Sequence, residues 1–498
     1  MSKTFKWIYT VIFFILCCLP LALMSFVKSN EQIEKKALTD MPAYLKDGRL
    51  NLEFSDQFES WLNDRMPLRS QLLTSANFLK GELMHVPSSN VIVGKDGWLF
   101  YNSESADYMN TNAMTDEQVA QVAVTLSLME EKITSAGGHF TFVPMPNKSS
   151  VYGEYMPVFF PEGETHNIDR IQEALKEAGV TYVDMKSVMT ENKDLGLYHR
   201  RDSHWNYQGA LLGYNAIMDS LGRPHETYAD ASYTIEKSWR GDLDKLLYPA
   251  GGTLDDQYVY DIDFKDFVFV KPAAVRDTQE MLLNFMSDKE QGDDLFTTEN
   301  REISDGSRLY IARDSFGRAL LPYLIDNYQT ATFKRTDCPD IASLEPGTDV
   351  VYEIAERNLS RVISTAPFMY APRRDASVLP SAQAQGGTVE PVFENAGYAW
   401  RLYGSLPELA SEAASAAAEE SASGAMDPAA ARVYLVLSKD GSAEIFEAFP
   451  IYESKYLKDG GNRGYSAYLS KEEGLSGSYQ LQIVIGGTAY DAGTVNFE

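Results

Sequence analysis

Leu309-Tyr310-Ile311-Ala312-Arg313-Asp314-Ser315-Phe316 is the stretch that decides the fold of this chain. Its first four residues are apolar and favour a buried strand, and a helical stretch begins soon afterwards at Ala319. The pattern predicts a strand-to-helix turn with Ser315 at its tip. Such a turn exposes the serine hydroxyl and brings it beside the free amides of the next helix, which can stabilise a developing oxyanion.

A second motif, Asp202-Ser203-His204-Trp205, contains the other two groups that a nucleophilic serine needs. A base must take the serine proton, and a carboxylate must orient that base. Each residue alone has an ordinary explanation: Ser315 as a helix cap, His204 as a packed loop residue, Asp202 as a turn carboxylate. Together they fill every role, and both loops precede predicted helices. The favoured prediction is therefore a catalytic triad of Ser315, His204 and Asp202.

Predicted strands alternate with predicted helices through the middle of the chain. Besides the serine strand, strands are expected at 140–143, 180–183, 329–333 and 350–354, and helices from Thr115, Asn167 and Asn206. This alternation indicates an α/β fold with a parallel sheet covered on both faces. Ligands of such sheets bind at the carboxyl ends of the strands, where both motif loops should lie.

The two ends of the chain have a different character. Lys3 and Lys6 precede an uncharged run from Trp7 to Val27, which predicts a membrane anchor (residues 1–28) with the remaining chain outside the cytoplasm. Secretion after signal-peptide cleavage is the alternative. A stalk and helical lead-in is predicted for 29–90, a catalytic domain for 91–370, a linker for 371–388 and a β-sandwich for 389–498. Residues 410–431 form an Ala/Ser-rich insertion in that sandwich.

Composition excludes several classes of function. The 44 basic and 71 acidic side chains give a formal charge of −27, which disfavours nucleic acid as a partner. Three cysteines, two of them in the N-terminal apolar run, provide no disulfide framework and no cysteine zinc site. His199, Asp202 and His204 are metal-ligand types, but their spacing matches no zinc signature. No metal or cofactor is predicted.

Three further residues are candidates for substrate binding. Lys148 follows the strand at 140–143 and is either a ligand for a sugar or an anionic donor, or a solvated loop lysine. Arg357 follows the last core strand and is either a substrate ligand or part of an ion-pair network with Glu353 and Glu356. Arg313, beside the serine, either binds substrate or crowds the oxyanion site.

Several of these motifs, in this order, resemble the DHHW-motif proteins and the related alginate O-acetyltransferase-like group of the SGNH hydrolase superfamily. The matching segments are Phe54–Phe58, Asn63–Arg65 with Arg69, Val93–Phe100, Pro146–Lys148, Asp202–Trp205, Asp314–Phe316 and Glu356–Arg357. The resemblance covers roughly residues 45–370 and does not extend to the C-terminal β region. Ser203 stands where the family usually has histidine, and Arg313 where the hydrolases commonly have glycine.

The resemblance implies an SGNH-hydrolase-like (flavodoxin-like) three-layer α/β/α core. It implies that Ser315 is the nucleophile, His204 the general base and acid, and Asp202 its orienting carboxylate. It also implies transfer of acetyl groups to a cell-surface polysaccharide or exopolysaccharide, with a multispanning membrane acyltransferase delivering the acetyl group. We expect an acetyl-serine intermediate, with main-chain amides after Ser315 stabilising the tetrahedral intermediates.

The sequence is compatible with two hypotheses from different classes. The first is an extracytoplasmic serine-dependent O-acetyltransferase or acetylesterase acting on a glycan. The second is a catalytically silent glycan-binding or scaffold protein of a polysaccharide-assembly complex. The first requires that Ser315, His204 and Asp202 meet in space, whereas the second does not.

Overall fold

The computed structural model describes residues 3–24, 39–46, 48–271, 295–407, 426–457 and 462–498. Its α-helices are α1 (Lys3–Leu23), α2 (Phe54–Arg65), α3 (Arg69–Phe78), α4 (Ser105–Tyr108), α5 (Asp116–Ser135), α6 (Lys148–Val151), α7 (Asn167–Glu177), α8 (Met185–Glu191), α9 (Tyr207–Ser220), α10 (Asp242–Leu247) and α11 (Leu321–Ile325). The strands of the first part are β1 (Leu45–Lys46), β2 (Arg49–Leu50), β3 (Val91–Val93), β4 (Leu99–Tyr101), β5 (Phe140–Met145), β6 (Tyr233–Trp239), β7 (Asp255–Tyr260), β8 (Phe267–Lys271), β9 (Leu295–Asn300), β10 (Arg308–Arg313), β11 (Thr330–Arg335) and β12 (Thr348–Ala355). Those of the C-terminal part are β13 (Arg373–Arg374), β14 (Ala384–Thr388), β15 (Val392–Asn395), β16 (Ala399–Ser405), β17 (Val433–Lys439), β18 (Ser442–Tyr452), β19 (Arg463–Ser470), β20 (Gly477–Ile485) and β21 (Thr488–Phe497).

A six-stranded sheet with the order β5-β12-β10-β11-β9-β8 carries the serine strand near its centre. The first four strands run parallel, and β9 and β8 extend the sheet in antiparallel fashion. Every residue of β12 is buried, as expected for an inner strand covered on both faces. The strand expected at 180–183 does not form; only an isolated bridge joins Tyr182 to Phe142.

Hydrophobic cores lie on the two sides of this sheet because successive side chains of a strand point to opposite faces. Ile311 and Val351 pack in one core with residues of α8, α9 and α11. Their neighbours Tyr310 and Val350 pack in the other with residues of α5, α7 and the 3-10 turn Glu356–Ile363. The predicted α/β fold is therefore present, and helical residues contribute to both cores.

The helix signals in the sequence correspond to real helix starts. At α5, the Thr115 hydroxyl accepts a hydrogen bond from the Gln118 amide and the Gln118 side chain accepts one from the Thr115 amide, which together form a capping box. At α9, the Asn206 side chain accepts from the amides of Gln208 and Gly209. This cap fixes the start of the helix directly after the His204 loop.

The C-terminal part is all-β, as predicted, and its strands form one nine-stranded sheet with β18 as the link between its halves. The first half of β18 pairs with β17, whereas Phe449–Tyr452 pair with β19. A hydrophobic core with residues of β16–β21 lies between the halves. The segment 371–388, expected as a linker, contributes β13 and β14 to this sheet. Most of the Ala/Ser-rich insertion falls at 408–425, outside the described residues.

The β region is joined to α5 by apolar and ionic contacts. Phe449 and Ile451 of β18 lie in the same hydrophobic core as the buried face of α5. Arg463, which is nearly fully buried, pairs with Glu117 at the start of α5. Helix α5 therefore contacts the central sheet on one side and the β region on the other.

The predicted N-terminal anchor is not supported. Residues Lys3–Leu23 form helix α1. Among the described residues, no helix combines the length and the apolarity that a membrane crossing requires.

Candidate active site

Ser315 lies directly after β10, where the chain turns into the 3-10 segment Phe316–Leu320 and then α11. This is the strand-to-helix position that the sequence predicts. Gly317 is required in the turn, since a Cβ added there would lie 2.8 Å from the Arg313 side chain and 2.8 Å from Glu353 Oε2. The tight turn leaves Ser315 half-buried and within reach of the His204 loop.

Two carboxyl groups accept hydrogen bonds from the backbone amides around the serine. Glu353 Oε2 accepts hydrogen bonds from the amides of Asp314 and Gly317, each at 3.0 Å. Asp314 Oδ1 accepts from the amide of Phe316 at 2.9 Å. The two amides after Ser315 are thus already engaged, so the expectation that they form the oxyanion site is wrong. The Ser315 amide itself has no hydrogen-bond partner among the described residues.

Glu353 is a carboxyl group of β12 that is 1% exposed. Burial and the neighbouring Asp314 carboxyl raise the pKa of Glu353 well above its ordinary range. The raised pKa favours the neutral acid, and two backbone amides bind its Oε2. These two hydrogen bonds hold the serine turn in shape.

His204 joins the serine turn to Asp202. Its Nε2 is 2.9 Å from Ser315 Oγ and its Nδ1 is 2.7 Å from Asp202 Oδ1. The arrangement suits the tautomer in which Nδ1–H donates to Asp202 and Nε2 accepts the serine hydroxyl. Trp205 Nε1 donates to the Phe316 carbonyl at 3.0 Å, which ties the two loops together. The structure thus brings together the three residues predicted as a triad.

The Asp202 carboxylate accepts four hydrogen bonds in a buried position. Oδ1 accepts from the amide and the ring of His204, and Oδ2 accepts from Trp239 Nε1 at 3.0 Å and from the Asp242 amide at 2.9 Å. Burial alone would raise the pKa of Asp202, but the hydrogen bond and charge of His204 outweigh it and hold that pKa below its ordinary range. Burial likewise disfavours the imidazolium, yet Asp202 raises the pKa of His204 overall.

Sequence reasoning missed Trp239, Asp242 and the role of Glu353. Trp239 ends β6, and Asp242 starts α10; both belong to an acidic stretch at about 223–306 whose irregular pattern contains no motif. Nothing in the local pattern marks them as partners of Asp202. The sequence suggests an ion-pair network of Glu353 with Glu356 and Arg357, whereas the partners of Glu353 are backbone amides.

Lys148 lies beneath the His204 loop rather than in a binding site. It is fully buried, and its ammonium donates to the carbonyls of His199, Arg200 and Asp202 at 3.2, 3.1 and 2.5 Å. The rings of Trp98 and Phe100 lie 5.6 and 5.3 Å from Nζ. This geometry does not agree with the predicted substrate contact. It places Lys148 of the Pro-Asn-Lys segment against two rings of the Gly-Trp-Leu-Phe segment.

Arg357 and Arg313 lie closer to the serine. The Arg357 guanidinium is 5.4 Å from the Phe316 ring centre and 5.7 Å from that of Tyr101, and its NH1 is 3.7 Å from a Glu104 carboxyl oxygen. Arg313 is 1% exposed and donates to the carbonyl of Asp314 at 3.0 Å. Arg357 is therefore near the His204–Ser315 pair, and Arg313 forms part of the wall behind the serine.

A cavity of about 180 Å³ opens beside the serine. Its lining residues come from the ends of β10, β11 and β12 and the following turns: Arg313, Asp314, Ser315, Arg335, Thr336, Asp337, Glu353, Ile354, Asn358 and Arg361. The cavity is at the carboxyl edge of the parallel strands, where ligands of such sheets bind. It is small compared with drug-sized pockets, which suits a small acyl group.

A metal ion is the competing interpretation of the same residues. Asp202, His204 and Asp242 offer ligand-type atoms that lie within 4.8 Å of one another. The nearest atoms of Asp202 and His204, however, are hydrogen-bonded to each other. His199 stacks on the Trp239 ring at 4.9 Å, and burial lowers its pKa to about 4. The hydrogen bonds of His204 to Asp202 and Ser315 therefore fit proton transfer better than metal binding.

Comparisons with known proteins confirm the resemblance that the motifs predict. The family model of the "SGNH hydrolase-like domain, acetyltransferase AlgX" matches residues 91–284, which include Asp202 and His204 and end before Ser315. The probable alginate O-acetylase AlgJ of Pseudomonas aeruginosa is 24% identical over 206 residues, covering 40% of this chain and 51% of AlgJ. The chain thus spans about half the length of that curated relative.

Two solved structures are similar to this chain at low identity. A DHHW family protein from Eubacterium siraeum is 17% identical with a TM-score of 0.41, and the match covers 54% of this chain and 91% of that one. The O-acetyltransferase domain of Pseudomonas putida AlgJ is 16% identical with a TM-score of 0.36, and the match covers 59% and 96%.

Proposed function

We propose that this chain is a serine-dependent O-acetyltransferase or acetylesterase that acts on a cell-surface or exopolysaccharide glycan. The observation that carries the proposal is the unbroken hydrogen-bonded line from Asp202 through His204 to Ser315. Similarity to the acetyltransferase AlgX model and to a probable alginate O-acetylase supports acetyl as the acyl group and a polysaccharide as the acceptor. Cores on both sides of the sheet support a three-layer α/β/α arrangement behind the site.

The first half of the reaction forms an acetyl-serine. Ser315 Oγ attacks the acetyl carbonyl carbon while His204 Nε2 takes the hydroxyl proton, and Asp202 stabilises the resulting imidazolium. The Ser315 amide, which no described residue engages, is the candidate donor for the oxyanion. When the tetrahedral intermediate collapses, the bond to the donor oxygen breaks and the imidazolium protonates that oxygen.

The second half releases the acetyl group to an acceptor. A sugar hydroxyl, or water in an esterase, gives its proton to His204 Nε2 and attacks the acetyl-serine carbonyl. Collapse of the second intermediate breaks the bond to Ser315 Oγ, which recovers its proton from His204. The small cavity at the ends of β10–β12 holds the acetyl group during the transfer. In the cell, we expect the reaction outside the cytoplasm, with a multispanning membrane acyltransferase as the acetyl source.

The test is acetyl release from 4-nitrophenyl acetate together with labelling by a sulfonyl fluoride. We compare the full chain with Ser315→Ala, His204→Ala and Asp202→Asn, and with Ser343→Ala, an exposed serine in a turn distant from the triad in sequence. We expect label on Ser315, loss of activity in the three triad variants and no loss in the control. A transferase should in addition turn over faster when an oligosaccharide acceptor is added.

Absence of label on Ser315, with equal background rates in all variants, would contradict the proposal. It would favour the scaffold hypothesis, in which the same surface binds a glycan without acylation. Circular dichroism of each variant separates loss of the nucleophile from loss of the fold.

A further inference from the structure

Asp242 places a second carboxylate beside His204. Its side chain is 39% exposed, and its Oδ2 lies 3.7 Å from His204 Nδ1. The residue begins α10 directly after Gly241, where an added Cβ would clash with the Arg201 carbonyl. The start of this helix therefore packs closely against the backbone at Arg201 and Asp202, next to His204. The Asp242 amide donates to Asp202 Oδ2.

Ser203 bridges the Asp242 carboxylate and the His204 ring. Its hydroxyl donates to Asp242 Oδ2 at 2.5 Å and its amide donates to Asp242 Oδ1 at 2.7 Å. The same hydroxyl oxygen lies 3.2 Å from His204 Nδ1. Ser203 occupies the position where the DHHW proteins usually carry histidine, and here its hydroxyl and its amide both donate to Asp242.

We infer that Asp242, held by Ser203, is a positioning residue that fixes the His204 ring and supplies negative charge to the imidazolium formed during catalysis. The inference rests on the proposed function, because it concerns the same base. Asp202 already accepts four hydrogen bonds, so its charge is largely compensated by fixed donors. A second carboxylate within 4 Å adds stabilisation that Asp202 alone does not provide.

Charged or titratable groups face His204 from several surrounding elements. Asp202 on its own loop and Asp242 on α10 favour the imidazolium, whereas Arg357 on the turn after β12 opposes it. His199, which precedes the His204 loop, is buried, and burial lowers its pKa to about 4, so it is neutral in the range where His204 titrates. Removing the charge of Asp242 leaves Arg357 less compensated. The pKa of His204 should then fall, and activity should persist to lower pH.

The experiment compares the full chain with Asp242→Asn, which keeps the shape of the side chain. Histidines labelled at the ring carbon are titrated by NMR; six histidines occur in the chain, and His204→Gln assigns the signal. We expect the pKa of His204 to fall by about 0.5–1 unit, the size of a screened charge at this distance. The acid limb of kcat/KM should move by the same amount, with kcat lowered about three- to tenfold and KM unchanged.

Asp256→Asn is the matched control, since it removes an exposed carboxylate of β7 that pairs with Lys237. It should leave the His204 titration and the pH profile unchanged. Ser203→Ala should lower kcat as well, and in the Asp242→Asn background it should add little, because its hydroxyl acts through Asp242.

An unchanged His204 titration in Asp242→Asn would overturn the inference, even if the enzyme is fully active and depends on Ser315. Conversely, a shifted titration in a protein without acetyl-transfer activity would support the contact while the proposed function fails. The NMR readout does not need turnover, so the two failures are distinguishable. Equal shifts in Asp242→Asn and Asp256→Asn would also overturn the inference, because they would reflect net charge alone.

Discussion

Lys148→Met tests whether the buried ammonium holds the catalytic loop. The substitution keeps the length of the side chain and removes three bonds to carbonyls of residues 199, 200 and 202. Charge-assisted bonds of this kind contribute about 2 kcal/mol each, so about 6 kcal/mol is lost. Burial lowers the pKa of Lys148 from 10.5 to about 8, which corresponds to about 3 kcal/mol that the charged form costs the fold. The net loss of stability should therefore be about 3 kcal/mol.

The assay is urea unfolding of the full chain followed by tryptophan fluorescence, since Trp98 lies under the ammonium. Lys186→Met is the control, because that lysine pairs with Asp169 near the surface and should cost less than about 1 kcal/mol. We also expect Lys148→Met to lower kcat more than it raises KM, as the loop carries the base and not the substrate. A variant as stable as the wild type, with unchanged kcat and a higher KM, would refute this reasoning and return Lys148 to the substrate site.

Two further predictions concern the serine turn and the base. Glu353→Gln keeps an oxygen that can accept from the Asp314 and Gly317 amides and should retain most of the activity, whereas Glu353→Ala frees both amides and should lower kcat at least tenfold. Rates on 4-nitrophenyl acetate check this, and equal losses in both variants would contradict it. Activity should rise with pH through a pKa above the ordinary 6.5 of histidine, since His204 must be neutral to accept the Ser315 proton. The same raised pKa means that protonated His204 stabilises the fold at pH values below its unfolded pKa. This contribution is lost as the pH rises through the folded pKa. Thermal unfolding of wild type and His204→Gln between about pH 5 and about pH 9, on both sides of the ordinary pKa of histidine, measures the difference.

The sequence predicted the features of the site that depend on local pattern. The apolar run before Ser315 is a strand, and the residues after it are helical, because both signals are short-range. The meeting of Ser315 with His204 also follows from pattern, since both loops lie at one edge of the sheet. The resemblance to acetyltransferases of the SGNH type was visible in the same motifs.

The partners of Asp202 could not be predicted, because they arrive from a segment whose own pattern carries no chemical signal. Trp239 and Asp242 reach the site because β6 ends and α10 begins beside Asp202. Lys148 illustrates the opposite error. It was visible as a candidate, but sequence does not reveal that aromatic rings and backbone carbonyls enclose its ammonium.

The strands of the central sheet also differ in whether local sequence predicts them. The strand expected at 180–183 is only a single bridge, because the segment lies beside β5 without extending along it. β8 and β9, from the irregular acidic stretch, add two antiparallel strands to the sheet instead. Their weak alternation gave no signal on its own, and the pairing of β9 with β11 and of β8 with β9 is decided by tertiary contacts.

The shared packing of α5 and β18 limits how this chain can be divided or recombined. A gene fragment that stops near residue 370 would strip Phe449 and Ile451 from the helix and leave an apolar strip open to water. Arg463, now buried against Glu117, would be missing from the same seam. In a chimera, a foreign C-terminal part would have to supply apolar side chains that cover this face of α5. The β region therefore cannot be exchanged for an unrelated domain. A substitution on α5 at this contact should be accompanied by a compensating substitution in the β region.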